Sequence, residues 1–458
     1  MEPFRYHVFI CDQKKPEGIP CCAARGSAAT IDALRKEVAA RGLVDEVQIT
    51  LCGSLGVCER GPNVVVYPDG VWYSGVQPED VPEIVESHLV QGHVVERLVN
   101  RDPAALRAEI QSNRAKMLAA QRAKDAAGIL PDDLNQTLRG YQESRVLLTA
   151  LELDAFTGVG GGATAAEVAR RISTDARATE MLLNALAAMG LLSKQGAMFR
   201  NTPITTRYFT EGSKDNAQPG LLHIANIWHR WATLTDCVRA GTSVSRRESG
   251  ERGEAWTRAF IAAMHRIAAE RAPLVVEAVG AERVQRLLDV GGGSAAYSIA
   301  FAKANEKLHA TVLDLPNVLP IAQGHINEAG LSARIETRAG DLRQDRLGAG
   351  FDLVLVSAIC HMLSPSENQD LLRRCREALA PEGRLVIQDF ILESDKTAPK
   401  HAALFALNML VGTEAGSTYS GEEYAAWMRE AGFQEVRQIR LPGLSSLMVG
   451  VRGQGVIA

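Results

Sequence analysis

A chain of 458 residues exceeds what a single hydrophobic core organises, so about two to four domains are expected. Its 46% hydrophobic and 23% charged residues are those of a soluble globular protein, and a formal net charge of −4 argues against a nucleic-acid or anionic-membrane partner. No apolar run reaches the ~18 residues of a membrane span, and the opening Met-Glu-Pro-Phe-Arg lacks a signal-peptide layout. A cytoplasmic, reducing compartment is expected, where clustered cysteines hold metal more often than they form disulfides.

Along the chain, residues 6–11 form a short β-like run, and residues 31–42 carry helical spacing through Ile31, Leu34 and Val38 up to a glycine stop. Residues 47–51 read as a second strand, residues 64–67 and 71–73 flank the turn Pro68-Asp69-Gly70, and residues 81–90 close the segment as a helix. This β-α-β-β-β-α order suits a small sheet with helices packed on it. Residues 101–124 are charged and alanine-rich; Leu106, Ile110, Met117 and Leu118 give a weak apolar stripe, which predicts a connecting helix with a solvated basic face.

Residues 135–275 are helical in period. Within them, 164–171, 178–189 and the following Leu-Leu-Ser-Lys have the layout of a helix-turn-helix with a short wing, yet lack a basic surface, so a packing or dimerisation module is expected rather than a DNA reader. Trp228, Trp231 and Trp256 are expected to anchor a core or interface. From residue 284 the pattern becomes α/β, with strands predicted over 286–290, 310–313, 335–339, 353–357 and 384–390, a helix over 421–431, and a terminal hairpin of 434–441 and 445–452 at the sheet edge.

Five of the eight cysteines lie in the first 58 residues: Cys11, Cys21, Cys22, Cys52 and Cys58. Soft thiolates converging from loops suit an iron–sulfur cluster. Free or redox-exchanging thiols are one alternative. Zinc is another, although no Cys-x-x-Cys pair is present. The stretches His7-Val-Phe-Ile-Cys11, Cys22-Ala-Ala-Arg-Gly-Ser27 and Cys58-Glu-Arg-Gly-Pro62, continuing through Val64 to Tyr73, resemble the thioredoxin-like [2Fe–2S] ferredoxins. The resemblance implies a cluster held by Cys11, Cys22, Cys52 and Cys58, and a redox partner protein. In that family the second pair is commonly Cys-x₃-Cys, which places Ser54 at the third position; Cys52 then has to substitute, and Cys21 competes with Cys22.

Asp289-Val-Gly291-Gly-Gly293-Ser ends a predicted strand with a tight turn whose exposed N–H groups admit a ligand closely. Asp314 ends the next strand, where a carboxylate can accept both hydroxyls of a ribose, and Asp341 follows the third, within reach of an adenine edge. Gly291-x-Gly293-x-x-Ala296 also meets the loose dinucleotide pattern. An acid directly before the glycines instead repels a pyrophosphate and welcomes a cationic methionine moiety.

With Asp314-Leu-Pro, Gly340-Asp341, Ser357-Ala-Ile-Cys-His361 and the run from Ala380 to Asp389, this segment resembles the class I S-adenosylmethionine-dependent small-molecule O-methyltransferases with a winged-helix-like dimerisation domain. The resemblance implies cofactor contacts at Asp289, Gly291, Gly293, Asp314 and Asp341, a homodimer, and His361 as catalytic base oriented by Asp389. The family's third acid falls near Thr418 and is absent. Met264, His265, Asn408 and Met409 are candidates for the substrate side.

The resulting expectation is a multidomain α/β chain. It comprises a thioredoxin-like ferredoxin domain (1–98), a helical linker (99–134), a helical winged-helix-like dimerisation domain (135–275) and a Rossmann-like methyltransferase domain (276–458). It is expected to methylate a small hydroxylated metabolite. A redox-responsive regulator with a silent methyltransferase fold and a nicotinamide-dependent oxidoreductase fed by the ferredoxin are the alternatives.

Overall fold

The computed structural model describes residues 3–15, 20–244 and 254–453, and side chains at all of these except 124, 219, 254–256 and 258–259, so Trp256 lies outside the described side chains. The chain divides into two compact units, 1–139 and 140–458. Among the described residues no helix is long and apolar enough to cross a membrane.

In the first unit, β1 (Tyr6–Cys11), β2 (Val47–Cys52), β3 (Asn63–Tyr67) and β4 (Val71–Ser74) form a sheet of order β2-β1-β3-β4. β1 and β2 are parallel, because the helix Ser27–Ala40 crosses between them; the other pairs are antiparallel. Ile31, Leu34 and Val38 share one helix face and join Val8, Ile10, Val64, Val66 and Tyr73 in the core. The helix begins four residues before the apolar spacing does. Its first turn is buried through hydroxyls, Ser27 and Thr30, and Thr30 Oγ1 donates to the Val76 carbonyl at 3.0 Å.

A second helix, Pro103–Ala126, starts where the Asp102 side chain accepts from the N–H groups of Ala104 and Ala105. Its predicted apolar stripe is only half used. Met117 and Leu118 are each 54% exposed, whereas Ile110 packs against Gly56, Asn113 Nδ2 donates to the Gly56 carbonyl at 2.8 Å, and Glu109 pairs with Arg60 at 2.6 Å. The helix is thereby fastened to the loop that follows β2.

The second unit opens with helices around a three-stranded sheet, β5 (Ala163–Thr164), β6 (Leu192–Gln195) and β7 (Met198–Asn201), in the order β5-β7-β6. Thr164 and Glu167 cap the helix Ala165–Arg171 reciprocally, and Asp175 caps Ala176–Ala188. Phe156, Leu183, Leu186 and Phe199 are buried among them, as the wing pattern predicts.

The remaining strands are β8 (Arg286–Val290), β9 (His309–Asp314), β10 (Ile335–Ala339), β11 (Phe351–Ser357), β12 (Leu379–Asp389), β13 (Phe433–Arg440) and β14 (Ser446–Arg452). They form one sheet of order β10-β9-β8-β11-β12-β14-β13, parallel as far as β12. Alternate residues feed two cores: Val354, Val356, Leu385 and Ile387 pack in one, and Leu353, Leu355 and Val386 in the other.

One detail departs from the sequence expectation and a second refines it. β12 starts at Leu379, which pairs with Phe351 across a register shift, whereas the predicted strand began at residue 384. The terminal hairpin joins the sheet through its last strand, so β14 lies between β12 and β13. Apolar Leu447–Val449 suit that inner position, and the charged Gln-Glu-Val-Arg-Gln run of β13 suits a free edge. Leu355 is fully buried at the centre of this sheet. Leu355→Ala is expected to destabilise the second unit by about 3 kcal/mol, read as an earlier urea transition by circular dichroism; a midpoint equal to that of the parent chain would contradict the packing described.

Candidate active site

Three carboxylates stand at the carboxyl ends of adjacent strands, where ligands bind in open α/β sheets. Asp289 lies in β8, Asp314 ends β9 and Asp341 follows β10. Between the first two the chain turns on Gly291 (φ +68°) and Gly293 (φ +55°). A Cβ at Gly291 would come within 2.5 Å of the Ile359 side chain, and one at Gly292 within 2.8 Å of Asp289 and Val312, so the turn has no room for side chains there. Ala295 adopts φ +64° at the position where the resembling family has glycine, and it does so within the same turn.

Asp314 accepts from the N–H of Gly293 at 2.7 Å and of Leu315 at 2.7 Å, which fixes its carboxylate against the turn. Asp289 is fully buried. Ser298 Oγ donates to its Oδ2 at 2.8 Å, while its Oδ1 has no partner among the described residues. Burial, and secondarily the neighbouring Asp314 charge, push its carboxyl up to about 6. An orphaned buried carboxylate oxygen beside an open backbone turn fits a ligand that brings positive charge, as the methionine moiety of S-adenosylmethionine does. Asp341 shares the strand-end edge, but its carboxylate accepts from the Arg343 N–H at 2.9 Å and the Gln344 amide at 3.3 Å in its own loop.

His361 sits in a single helical turn, Cys360–Met362, after β11, and Asp389 is the last residue of the neighbouring β12. Their side chains meet at 2.7 Å, Nδ1 to Oδ1, with 6% and 1% of the residues exposed. Asp389 also accepts the backbone N–H of His361 at 3.1 Å and of Phe390 at 2.8 Å, and the hydroxyl of Tyr424 at 3.3 Å. With Nδ1–H given to this carboxylate, the imidazole lone pair resides on Nε2. The Phe405 ring stands edge-on to the imidazole at 5.0 Å, and Phe390 packs on Phe405 at 4.3 Å.

The other predicted positions separate. Met409 is buried, Asn408 accepts from Trp231 Nε1 at 3.0 Å, and His265 bonds Ser294 Oγ at 2.9 Å beside the glycine turn. Thr418 donates to the Ala402 carbonyl at 3.0 Å. The contacts of Tyr424 with Asp389 and of Ser298 with Asp289 escape a sequence reading. Tyr424 lies 35 residues from its carboxylate partner and in a helix whose period marks it only as core.

In the first unit the thiols do not gather as four converging ligands. The neighbouring Cys22 thiol, with the N–H groups of Gln13 and Leu55, holds the Cys11 thiol down at about 6. Ser54 Oγ lies 3.2 Å from Cys58 Sγ, and Asn63 Nδ2 is 3.5 Å from Cys22 Sγ. Cys52 stands opposite Cys11 in the parallel register, and burial raises its thiol to about 11. Paired residues of neighbouring strands point to one face, so Cys52 and Cys11 share a side of the sheet. Among the described residues no three of His, Cys, Asp and Glu surround an ion-sized site.

Two family models match the chain: an O-methyltransferase dimerisation domain over 135–211 and an O-methyltransferase domain over 231–434; neither extends into the first 134 residues. The 3-hydroxy-5-methyl-1-naphthoate 3-O-methyltransferase of Streptomyces sahachiroi is 33% identical over 334 residues, 70% of this chain and 95% of that protein. The tetracenomycin polyketide synthesis 8-O-methyl transferase TcmO of Streptomyces glaucescens is 28% identical over 333 residues, 70% of this chain and 96% of that protein. A solved structure of PigF with SAH superposes with a TM-score of 0.66 at 26% identity, covering 70% of this chain and 100% of that one. The buried acid beside the glycine turn, the dimerisation segment and these relatives agree: the chain belongs to the O-methyltransferase family and is an S-adenosylmethionine-dependent methyltransferase.

Proposed function

We propose that this enzyme methylates a hydroxyl of a small aromatic metabolite of the polyketide type, with His361 as general base and Asp389 as the group that orients it. The observation that carries the reading is the buried 2.7 Å contact between His361 Nδ1 and Asp389 Oδ1. S-adenosylmethionine supplies, when bound, a sulfonium methyl that is electrophilic without further activation. Asp289, Gly291, Gly293, Asp314 and Asp341 are the residues proposed to hold it.

His361 Nε2 takes the proton of the acceptor hydroxyl as the C–O bond forms and the S–CH₃ bond breaks. A phenol near pKa ~10 requires such a base close to neutral pH. Asp389 holds the ring in the tautomer that leaves Nε2 free and stabilises the imidazolium that follows. Phe390 and Phe405 present aromatic surface beside that imidazole, which favours a planar acceptor. The named substrates of two relatives, a hydroxylated naphthoate and a tetracenomycin polyketide intermediate, support the same class. Two copies pairing through 135–211 complete the proposal, as does a cytoplasmic location.

For the first unit we propose a thioredoxin-like [2Fe–2S] ferredoxin module served by a redox partner protein, since methyl transfer itself consumes no electrons. The sheet order β2-β1-β3-β4 and the buried thiols support it. Cys11, Cys22, Cys52 and Cys58 would supply the thiolates. A Cβ on Gly61 would fall 2.7 Å from Cys22 Sγ, the close approach that a cluster-bearing loop needs. Neither the silent-regulator nor the nicotinamide alternative is favoured by any contact found in the site.

His361→Ala is expected to lower kcat by about 10²–10⁴-fold while calorimetry returns an unchanged affinity for S-adenosylhomocysteine; a fully active variant would remove the proposed base. Asp389→Asn, which keeps the shape but loses the charge, is expected to lower kcat in the same direction.

Asp289 gives a pH dependence with a definite sign. A bound cation favours its carboxylate, so above about pH 6 the free protein is already ionised and affinity for S-adenosylmethionine is at its plateau. Below that value binding must expel a proton, and affinity is expected to fall by up to about tenfold per pH unit. Titrations at pH 5 and 8 test this, and Asp289→Asn should bind weakly at both without the pH trend.

A further inference from the structure

Two successive helices each cover only half of an apolar stripe. In Pro103–Ala126 the stripe runs through Leu106, Ile110, Asn113 and Met117 at the spacing of a helix seam. Its first half is covered: Leu106 is buried, and Ile110 and Asn113 hold the loop at Gly56. Its second half is open, because Met117 and the adjoining Leu118 stand exposed. The helix Asp132–Glu152 mirrors this arrangement. Leu134, Leu138, Tyr141 and Leu148 follow the same spacing; Leu148 is buried, and the three nearer the start are exposed.

The open halves adjoin the turn 127–131, which adds exposed Ile129 and Leu130. That turn is fixed by its own hydrogen bonds. Gly128 (φ +63°) donates to the Asp125 carbonyl at 3.1 Å, and Asn135 Nδ2 donates to that of Leu130 at 3.1 Å. Six large apolar side chains are thus exposed between 117 and 138, a cluster rather than the single scattered residues of an ordinary surface.

Two observations point to what covers them. The helix Asp132–Glu152 runs without a break into the segment 135–211 that matches the O-methyltransferase dimerisation domain, so its open stripe borders the pairing of two copies. Charge along the segment is also self-complementary. The open half of the first helix is net basic, through Arg114, Lys116 and Arg122, and the second helix opens on Asp132 and Asp133. Within one chain both open halves stay exposed, so the two helices do not cover one another there.

Resting on the pairing of two copies proposed above, we infer that residues 117–138 dock on the same residues of a second copy, the basic helix of each lying along the acidic start of the other's. The contact is isologous, as a two-fold axis requires. It carries the dimer interface into residues 117–134, ahead of the segment that the family shares, and it draws the first unit into the dimer.

The test uses the full chain, in sedimentation equilibrium and in hydrogen exchange above and below the dimer's dissociation constant. Leu118→Glu combined with Leu130→Glu is expected to raise that constant on the order of 100-fold. Circular dichroism of this double variant is expected to match the parent, because both side chains are exposed within one copy. Val44→Glu, at an exposed apolar position outside the cluster, is expected to leave the constant unchanged. In the parent chain the amides of 117–131 are expected to exchange more slowly in the dimer than in the monomer, a readout that carries the test if the double variant does not fold. Slowing confined to 135–211, with the double variant pairing as tightly as the parent, overturns the docking of this segment and leaves the pairing of two copies standing. Protection of 117–131 that does not change with concentration means that the cluster is covered within one chain, and it overturns the inference in the same way. A parent chain that stays monomeric at every concentration overturns the two-copy reading and this inference with it.

Discussion

The carboxylate of Asp389 ties together three segments that are remote in the chain. It ends β12, takes both the imidazole and the backbone N–H of His361 from the turn after β11, and takes the hydroxyl of Tyr424 from the helix Gly421–Glu430. A buried carboxylate without such donors would be costly, so these hydrogen bonds are a condition of the fold as well as of the proposed chemistry. The same constraint explains why the imidazole is presented in one orientation. Its Nδ1 side is committed to the interior, and only Nε2 remains for an acceptor.

Across the sheet the electrostatics take the opposite form. Asp389 is saturated with donors, whereas Asp289 keeps one oxygen unpartnered in an equally buried place. The glycine turn has no side chains that could answer it, because Gly291 and Gly292 have no room for a Cβ. One acid is thus saturated by the protein, and the other keeps an open oxygen. Both lie at strand ends of one parallel sheet, β8 and β12 flanking β11, which sets their separation through strand spacing rather than through flexible loops.

The first unit applies a different logic. Its clustered thiols lie at the ends of β1 and β2 and in the loops after them, and those loops are braced by neighbours: Gln13 on Ser54, Asn113 on Gly56, and Ile110 beneath them. The helix Pro103–Ala126 therefore belongs structurally to the thiol-bearing loops and is more than a spacer. Its outer apolar residues, Met117 and Leu118, remain exposed.

What the amino-acid order determined by itself was local. The periods of β8 and β10, the glycine turn after Asp289, the wing between Leu192 and Asn201, and the strand-end positions of His361 and Asp389 all follow from residues within a few places of one another. Tertiary structure decided what such windows do not contain. It placed β14 inside β13, extended β12 back through Pro381 and Gly383 to Leu379, buried Ser27 and Thr30, brought Tyr424 to Asp389, and set Ser54 beside Cys58. Turn residues, periodicity and caps act over one to four residues, so they are written in order along the chain. Which strand neighbours which, and which hydroxyl meets which acid, depends on the summed packing of segments tens of residues apart, and that sum exists only once the core has closed.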